Sequence, residues 1–357
     1  MQAVHQIARY PAAQLRDAVN AIFRSAGMQA DIAAAVADSL LDADMMGHAT
    51  HGVALVPWYM DAIKNNWVTL AGEPEVIADH GACITWNGRK LPGAWLLSEA
   101  IDMAIARVEK LGVVTIVMAN SFHTGALAVY MPKLTERGLM GVLACSAPPT
   151  RGIAPYGGTK GLLSPNPLAA GIPTDDDPIL LDISSSITTL NSTRQLAARG
   201  EKYPGMWAID PQGIPTDDPQ VVMSGGGTLL PVGGLDHGHK GYSMALLVEA
   251  LTQALPGYGR MDEPGGVLMG VYLQVIDPNA FAGLGTYKRH TSWLVDQCRT
   301  NPPRPGVDRV RVPGDQAMRK KREALQAGVP IPAGVFNALA GVAEKWEIQL
   351  PAAICGH

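Results

Sequence analysis

The segment from Val113 to Met131 constrains the fold more than any other part of the chain. It begins with an apolar, mostly β-branched run over 113–117, passes through Ala119-Asn120-Ser121 and enters a stretch of small residues with helix-like spacing. A strand that joins a helix through a turn places that turn at the carboxyl edge of a sheet, where α/β proteins bind ligands. His123 lies in this turn and can exchange a proton near neutral pH, although such a histidine can also simply pack or cap the helix.

Strand-like and helix-like patterns alternate along the rest of the chain and predict an α/β architecture. The Pro- and Gly-rich stretch over 146–178 is predicted to be irregular, and loops of that length are usually functional. Besides a helix directly after His123, helices are predicted at 11–26, 31–45, 53–65, 94–111, 240–255, 286–299, 316–327 and 332–346, and strands at 75–78, 83–86, 113–117, 140–145, 179–183 and 270–276.

Composition limits the classes of protein to which the chain can belong. Its 357 residues are enough for two domains with a large buried core. A net charge of -4 gives no electrostatic reason to expect a nucleic-acid or membrane-surface partner. The short basic run Arg319-Lys320-Lys321-Arg322 falls in a predicted helix, and we interpret it as a solvated face.

Cysteine usage and the N-terminal residues predict a cytoplasmic protein. The four cysteines at 83, 145, 298 and 355 are far apart and form no CxxC pair, so we expect unpaired, reduced thiols. The first ten residues lack the apolar core of a signal peptide, and no apolar run is long enough to span a membrane.

Several familiar catalytic motifs are absent from the sequence. No GxGxxG follows a strand, and no GxxxxGK[ST], GxSxG or HExxH occurs. His48 with His51, and His237 with His239, are spaced so that each pair could share a metal. Neither pair has a Cys or carboxylate cluster of matching spacing, so we expect no metal site.

Four short segments remain as candidates for chemistry. The turn over 47–52 carries His51, a second candidate acid/base beside His123, although it could equally cap a helix. The turn over 182–186 ends an apolar strand with three serines, which could hold a phosphate or ribose or only close a turn. Lys240, between glycine and histidine neighbours at a helix start, suits an anionic ligand but also an ordinary helix N-terminus.

Taken in order, these segments resemble the type-2 malate/L-lactate dehydrogenase family of NAD(P)-dependent oxidoreductases, which includes ureidoglycolate dehydrogenases and cyclic-ketimine reductases. The resemblance covers residues 15–340. Its marks are Asp44-x-x-Gly47 leading to Thr50-His51-Gly52, Asn120–Gly125, Pro155–Gly158, Asn166–Ala169, Asp182–Ser185, Trp207–Asp210, Gly213–Asp217, Leu230-Pro231, His239–Tyr242 and Pro313–Asp315.

The resemblance implies a fold and an assembly. The fold is α/β but not Rossmann: the malate/L-lactate dehydrogenase type-2 fold, with a helical N-terminal part and a mixed-sheet cofactor domain. We expect residues 1–118 together with 300–357 to form the helical, substrate-binding and dimerisation part, and 119–299 the cofactor-binding part. The resemblance also implies a homodimer whose active site lies near the subunit interface.

Residue roles follow from the resemblance as expectations. His51 and His123 would be the catalytic histidines, and Ser146 falls near a family position that touches substrate. With Thr50 and Arg151, Ser146 makes up the expected substrate site. The cofactor, either NAD or NADP, would be held by Asp182, Ile183, Ser184, Ser185, Ser186, Lys240, Gly241, Pro313, Gly314 and Asp315.

The chain departs from its family at three positions that bear on substrate. Relatives carry an arginine four residues after the first histidine, suited to a substrate carboxylate, where this chain has Leu55. A Gly-Lys pair is replaced by Asn191-Ser192, and the loop over 148–154 is two or three residues longer. Arg151, in that loop, is our hypothesis for a replacement carboxylate partner.

These observations predict an NAD(P)-dependent oxidoreductase that moves a hydride between nicotinamide and C2 of a 2-oxo or 2-hydroxy acid. In this prediction His51 exchanges a proton with the substrate, and His123 orients or shares it. An alternative within the family is reduction of cyclic ketimines or N-alkyl imino acids. A third reading is a cofactor-binding homologue without catalysis, which Leu55 and Asn191-Ser192 would favour.

Overall fold

A computed structural model describes residues 7–354 of the chain. Cys83, Cys145 and Cys298 are unpaired, and Cys355 lies outside the described residues. No helix within 7–354 is both long and apolar enough to cross a membrane. The helices are α1 (Ala12–Ser25), α2 (Ala30–Met46), α3 (Val56–Lys64), α4 (Gly93–Leu111), α5 (Met131–Thr135), α6 (Leu190–Arg199), α7 (Gln220–Met223), α8 (Gly234–His237), α9 (His239–Glu249), α10 (Leu284–Arg299), α11 (Asp315–Ala327) and α12 (Ala333–Lys345).

The strands are mostly short, and the longer ones form a single sheet. They are β1 (Arg9–Tyr10), β2 (Glu75–Asp79), β3 (Cys83–Asn87), β4 (Val113–Ser121), β5 (Met140–Ser146), β6 (Leu168–Ile172), β7 (Ile179–Ile183), β8 (Ala208–Ile209), β9 (Pro215–Thr216), β10 (Thr228–Leu229), β11 (Met269–Ile276) and β12 (Val329–Pro330). Turns of 3₁₀-helix occur at Ala49–His51, Val53–Leu55, Leu127–Tyr130, Arg260–Asp262 and Pro278–Ala280, and a π-helical turn, Ala250–Ala254, continues α9.

A seven-stranded mixed sheet in the order β2-β3-β4-β11-β5-β6-β7 confirms the predicted α/β class. The pair β3 and β4 is parallel, and every other neighbouring pair is antiparallel. Since β11 is antiparallel to both β4 and β5, those two strands run in the same direction. Strand β6 reverses the direction and β7 restores it. The carboxyl ends of β3, β4, β5 and β7 therefore lie at one edge of the sheet.

The main core lies between this sheet and the N-terminal helices. Helix α4 packs on β4 and β11, while α2 packs on α1, α4 and α11. Apolar residues recur every three or four positions in α1 and α4 and form their buried faces, which include Leu15, Val19 and Ile22 of α1 and Leu97, Ile101 and Val108 of α4. Fully buried members include Leu15, Val19, Ile22, Phe23, Ile32, Leu40, Leu41, Leu96, Ile116, Leu143 and Leu273.

A second, smaller sheet supports the long loop that follows β5. It has the order β10-β8-β9, and its apolar side packs in a separate cluster with Ile153 and Leu163 of the loop. Ile153 forms isolated bridges to Leu163 and to Leu229 of β10. This contact holds the loop over 147–167 against the small sheet.

The structure corrects two predicted elements. Residues 122–126 form no helix after β4, because their backbone bonds the start of α4: Phe122 N–H donates to Leu91 O, and Gly93 N–H donates to His123 O. The stretch over 146–178 is not irregular throughout, because it contains β6. The Ala- and Gly-rich sequence of β6 has weak strand propensity, and Gly171 is required because a Cβ there would lie 2.7 Å from Met131 Cβ.

The division into residues 1–118 with 300–357, and 119–299, stays a prediction. Its first boundary falls inside β4, and the central sheet takes β2 and β3 from one part and β5, β6, β7 and β11 from the other.

Candidate active site

A cavity of about 330 Å³ opens at the shared carboxyl edge of β4, β5 and β7. The turns after these strands supply its wall, together with the 3₁₀ turn Ala49–His51 and the start of α6. Its lining includes His48, Thr50, His51, His123, Thr124, Cys145, Ser146, Thr150, Ser164, Asn166, Asp182, Ser184, Thr189, Asn191, Ser192 and Met269. The segment around His123 predicts a ligand site at the carboxyl edge of the sheet. The cavity lies at that edge.

His51 and His123 face each other in this cavity although 72 positions separate them in sequence (123 minus 51). Their ring centroids are 5.9 Å apart and the ring planes are inclined by only 7°. The edge of Trp58 packs against His123 at 5.3 Å between ring centroids, which restricts how the imidazole can rotate. The two imidazoles thus line one cavity with their ring planes nearly parallel.

The environment of His123 keeps its imidazole neutral. Burial, followed by the proximity of His51, lowers the pKa of His123 to about 3. Its Nδ1 lies 3.1 Å from the hydroxyl of Tyr59, a fully buried residue whose pKa is raised by burial, so the phenol keeps its proton. Within residues 7–354 the Tyr59 hydroxyl has no other hydrogen-bond partner. Tyr59 O–H therefore donates to Nδ1, which leaves the imidazole hydrogen on Nε2.

His51 has a different electrostatic environment. Burial also lowers its pKa, and His48 adds to that effect, but the nearby Asp182 carboxylate opposes it. Thr50 Oγ1 lies 3.0 Å from His51 Nδ1 and orients the ring. Asp182 is itself held by Ala128 N–H, which donates to its carboxylate at 2.9 Å. Of the two histidines, only His51 has a carboxylate that favours its protonated form.

Asp44 was quoted among the motif residues but assigned no role, and it proves to anchor the turn that carries His51. Its buried carboxyl accepts a hydrogen bond from Val53 N–H at 2.8 Å. Burial raises its pKa to about 7. Gly52 is required here, because a Cβ at that position would lie 2.0 Å from the Asp44 carboxyl oxygen. The carboxyl therefore fills the space that the missing side chain leaves.

Only some of the predicted substrate-binding residues line the cavity. Thr50 and Ser146 line the cavity, and Ser146 is held by Thr252 Oγ1 at 2.6 Å and Gln253 Nε2 at 2.9 Å. Arg151 is exposed and outside the cavity lining, so its role as a carboxylate partner stays a prediction. Leu55 packs against the main core instead of lining the cavity. Within the described chain, the lining contains no lysine or arginine.

The predicted cofactor residues fall into two groups. Asp182 and Ser184 line the main cavity, and Asp182 and Gly314 line a second cavity that adjoins it. The remaining members lie outside both linings, and their cofactor roles stay predictions: Ile183, Ser185, Ser186, Lys240, Gly241, Pro313 and Asp315.

Several of those remaining residues have visible structural roles. Ser185 Oγ donates to Pro165 O at 2.8 Å, and Ser186 Oγ donates to Thr188 O at 2.6 Å. The Lys240 side chain is exposed. A Cβ at Gly241 would lie 2.4 Å from Val232 N, so this glycine permits close backbone packing. Asp315 pairs with Arg299 at 2.6 Å.

An arginine that the sequence did not single out fixes the loop beside the cavity. Arg260 forms a two-point ion pair with Glu249, at 2.9 and 2.8 Å, and its other donors reach Pro148 O, Thr150 O and Ser164 Oγ. All five guanidinium N–H groups are therefore used. Glu249 also accepts from Asn166 Nδ2 at 2.8 Å. No sequence signal identified this network, because its members are 11 to 112 positions from Arg260.

The histidine pairs that could have suggested a metal are placed without further ligands. Within residues 7–354, no group of three or more His, Cys, Asp or Glu side chains is arranged to hold a metal ion. His48 and His51 both line the main cavity, and His237 and His239 have ring centroids 6.2 Å apart elsewhere.

Comparisons with known proteins show the family and the fold of the chain. The sequence model of the malate/L-lactate dehydrogenase family matches residues 10–340. Malate dehydrogenase from Pyrococcus horikoshii is 28% identical over 349 residues, which is 96% of each chain. Malate dehydrogenase from Entamoeba histolytica has the same fold, with a TM-score of 0.91, 23% identity and coverage of 96% of this chain and 99% of that one. Delta1-piperideine-2-carboxylate reductase from Pseudomonas syringae pvar. tomato gives a TM-score of 0.83 and 25% identity over 94% and 99%.

We expect His123 to make the free energy of unfolding depend on pH. Its pKa is about 3 in the folded chain against 6.5 for an ordinary histidine, so the unfolded chain binds the extra proton first as the pH falls. The stabilisation by the neutral imidazole is complete above pH 6.5 and is lost as the pH falls toward 3. In denaturant titrations at pH 7.5 and pH 5, the wild type should lose about 1–2 kcal/mol relative to a His123→Asn variant.

An Asp44→Asn variant supplies a control of opposite sign. Because the pKa of Asp44 is raised from 3.8 to about 7, its stabilisation is complete below 3.8 and is lost as the pH rises through 7. Between pH 7.5 and pH 5 the wild type should therefore gain stability relative to Asp44→Asn. A constant stability difference between wild type and His123→Asn across this range would contradict the assignment of a buried neutral His123.

Proposed function

This chain belongs to the malate/L-lactate dehydrogenase family and is an NAD(P)-dependent oxidoreductase, and we propose that its substrate is a 2-oxo or 2-hydroxy acid that reacts at C2 between His51 and His123. The observation that carries this proposal is the pair of nearly parallel imidazoles, with ring centroids 5.9 Å apart and unequal electrostatic environments. Two groups that differ in proton affinity suit two roles in one reaction.

His51 is the proton-exchanging group in the proposed mechanism. A bound nicotinamide supplies or accepts the hydride, which is chemistry that belongs to the cofactor. His51 gives a proton to the substrate oxygen during reduction and takes it back during oxidation. The Asp182 carboxylate stabilises the imidazolium form of His51, and Thr50 keeps the ring oriented.

His123 acts as a fixed hydrogen-bond donor rather than as an acid. With Nδ1 accepting from Tyr59, its Nε2–H can donate to the substrate oxygen and stabilise the negative charge that develops there. A group whose pKa is about 3 is neutral throughout the physiological range, so it does not compete with His51 for the transferred proton. Tyr59 is a positioning residue in this scheme, because it selects the tautomer.

The residues around the cavities fit a dinucleotide. Its ribose and amide groups need hydroxyl, amide and carboxylate partners, and Asp182, Ser184, Thr189, Asn191 and Ser192 provide these along one wall. The adjoining cavity at Gly314 extends the available space past Asp182. We propose that Asp182, Ser184 and Gly314 hold the cofactor. The other residues at cofactor-binding positions of the family contribute where they lie next to the bound cofactor.

The cavity lining supports a substrate with a weakly recognised carboxylate. Among its neutral hydroxyls, Thr150 can donate to a carboxylate but lacks the two-point ion pair that an arginine forms, whereas the hydroxyls of Ser146 and Ser164 already donate to Thr252 Oγ1 and Asn166 Oδ1. The 25%-identical piperideine-2-carboxylate reductase supports imine reduction as the second candidate. A protonated imine brings its own positive charge and proton, so it needs less help from His51.

We also propose that the chain works as a cytoplasmic homodimer. Leu246 and Leu247 of α9, Leu255 just beyond it and Met261 are exposed by 47%, 56%, 57% and 93%. These exposed large apolar side chains support an interface near α9, which lies in the 119–299 part and not in the part that the resemblance predicts to dimerise. The three unpaired cysteines among the described residues are compatible with a reducing compartment.

The substrate class is tested by a cofactor-consumption screen from pH 6 to pH 9. NADH and NADPH would each be offered with a panel of 2-oxo acids, with the same acids plus methylamine or ammonia, and with cyclic imino acids. Turnover of plain 2-oxo acids supports the proposal. Turnover only with cyclic imines, or only with the amine present, would replace it by imine reduction, and no turnover in any arm would contradict both.

Removing either imidazole should lower kcat by roughly 10²–10⁴-fold if the two histidines act as described. His51→Ala and His123→Ala would be compared with His80→Ala, which removes an exposed histidine at the turn between β2 and β3 and should leave kcat unchanged. A loss of less than tenfold in a folded His51 or His123 variant would remove that residue from the mechanism.

Tyr59→Phe should lower kcat by about tenfold and leave the Kd for NAD(P)H unchanged, because the tautomer of His123 is no longer selected. The buried phenyl ring keeps the packing against Trp58 and Phe122, so a loss of stability alone would not explain the effect. An unchanged kcat would show that Tyr59 has only a packing role.

A further inference from the structure

The basic run of α11 differs from the uniformly solvated face that its sequence predicts. Arg319 pairs with Glu323, Lys321 with Asp42 at 3.2 Å, and Arg322 with Asp177 at 2.7 Å. Lys320 has no carboxylate or hydrogen-bond partner anywhere in residues 7–354. Three of these four cations are therefore neutralised within the chain, and the fourth is not.

The packing of the Lys320 side chain fixes the position of its ammonium group. The Lys320 side chain is half-buried and lies over Gly47, which ends α2 in the left-handed region with φ +87°. A Cβ at Gly47 would lie 2.6 Å from Lys320 Nζ and 2.8 Å from its Cδ. The glycine thus leaves room for the lysine stem and brings the ammonium group to the end of α2.

This ammonium group lines a cavity of about 240 Å³ that adjoins the active-site cavity. His48 and Asp182 line both cavities, so they mark the junction between them. The second cavity continues from there to Gly314 and Gln316, at the start of α11. A molecule that reacts beside His51 and His123 and extends past this junction ends close to Lys320.

The charges in the second cavity suit a phosphorylated ribose. Lys320 is its one lysine or arginine among the described lining residues, and an unpaired, half-buried ammonium group favours a phosphate partner. In Rossmann folds, sites selective for NAD use a carboxylate to bind the ribose 2′-hydroxyl. Here the carboxylate at the start of α11, Asp315, accepts from Arg299 and Val312 N–H at 2.6 and 2.9 Å and lies outside the lining of this cavity. Asp182 lies at the junction, on the side of the reaction centre.

We propose that Lys320 binds the 2′-phosphate of NADP and makes this enzyme prefer NADP over NAD. The proposal rests on the proposed function, which places the nicotinamide in the main cavity beside the two histidines. The adenosine half of the dinucleotide, which is farthest from the nicotinamide, then enters the second cavity. The 2′-phosphate is the group that meets the unpaired ammonium.

The test is calorimetric binding of two adenosine fragments to the full chain, without turnover. Adenosine 2′,5′-bisphosphate and 5′-AMP would be titrated into wild type, Lys320→Met and Arg319→Met. The two variants lose the same charge from the same helix, but Arg319 already has Glu323 as its partner. We expect Lys320→Met to raise the Kd of the bisphosphate at least tenfold and that of 5′-AMP less than twofold, with Arg319→Met changing neither.

Intact cofactors give a second readout. Fluorescence titration should show NADPH binding weakened in Lys320→Met, NADH binding unchanged and NADPH binding restored in Lys320→Arg. Equal weakening of NADH and NADPH would assign Lys320 to the pyrophosphate and overturn the proposal, as would unchanged binding of both. In both of these outcomes, binding of NADH or NADPH by the wild type would still support the proposed function. Failure of the wild type to bind either cofactor would contradict the proposed function itself.

Discussion

The position of β11 between β4 and β5 is the constraint on which the active site depends. Because β11 is antiparallel to both neighbours, β4 and β5 end at the same edge, and β7 ends there as well. His123, Ser146 and Asp182 follow or close these three strands, so one sheet edge brings together residues that are far apart in the chain.

The two histidines are chemically identical in sequence and different in the folded chain. Burial and the neighbouring His51 keep His123 neutral, whereas Asp182 supports a charge on His51. The turn that carries His51 is held by the buried Asp44 carboxyl, which accepts from Val53 N–H and occupies the space next to Gly52. Protonation, packing and backbone conformation are therefore linked within one short turn.

The loop opposite these histidines is positioned by a single guanidinium group. Arg260 uses all its donors on Glu249 and on the loop, and Glu249 in turn accepts from Asn166, which is fully buried with φ +45°. A non-glycine residue in the left-handed region is held there by its surroundings. The polar wall of the cavity is thus pre-organised by a hydrogen-bond network beneath it.

The sequence by itself determined the local structure and the family. The sequence pattern predicted α1, α4, α10 and six of the seven strands of the large sheet to within a few residues, because apolar periodicity reflects which face is buried. The order of the motifs alone indicates His51 and His123 as candidate catalytic residues. Only the tertiary structure decided the rest: the helix-free stretch after β4, the unpredicted strand β6 of the large sheet, the tautomer of His123, the hydrogen-bond network of Arg260 and the unpaired Lys320. Each depends on contacts between residues distant in sequence, and such contacts leave no periodic signal in the chain.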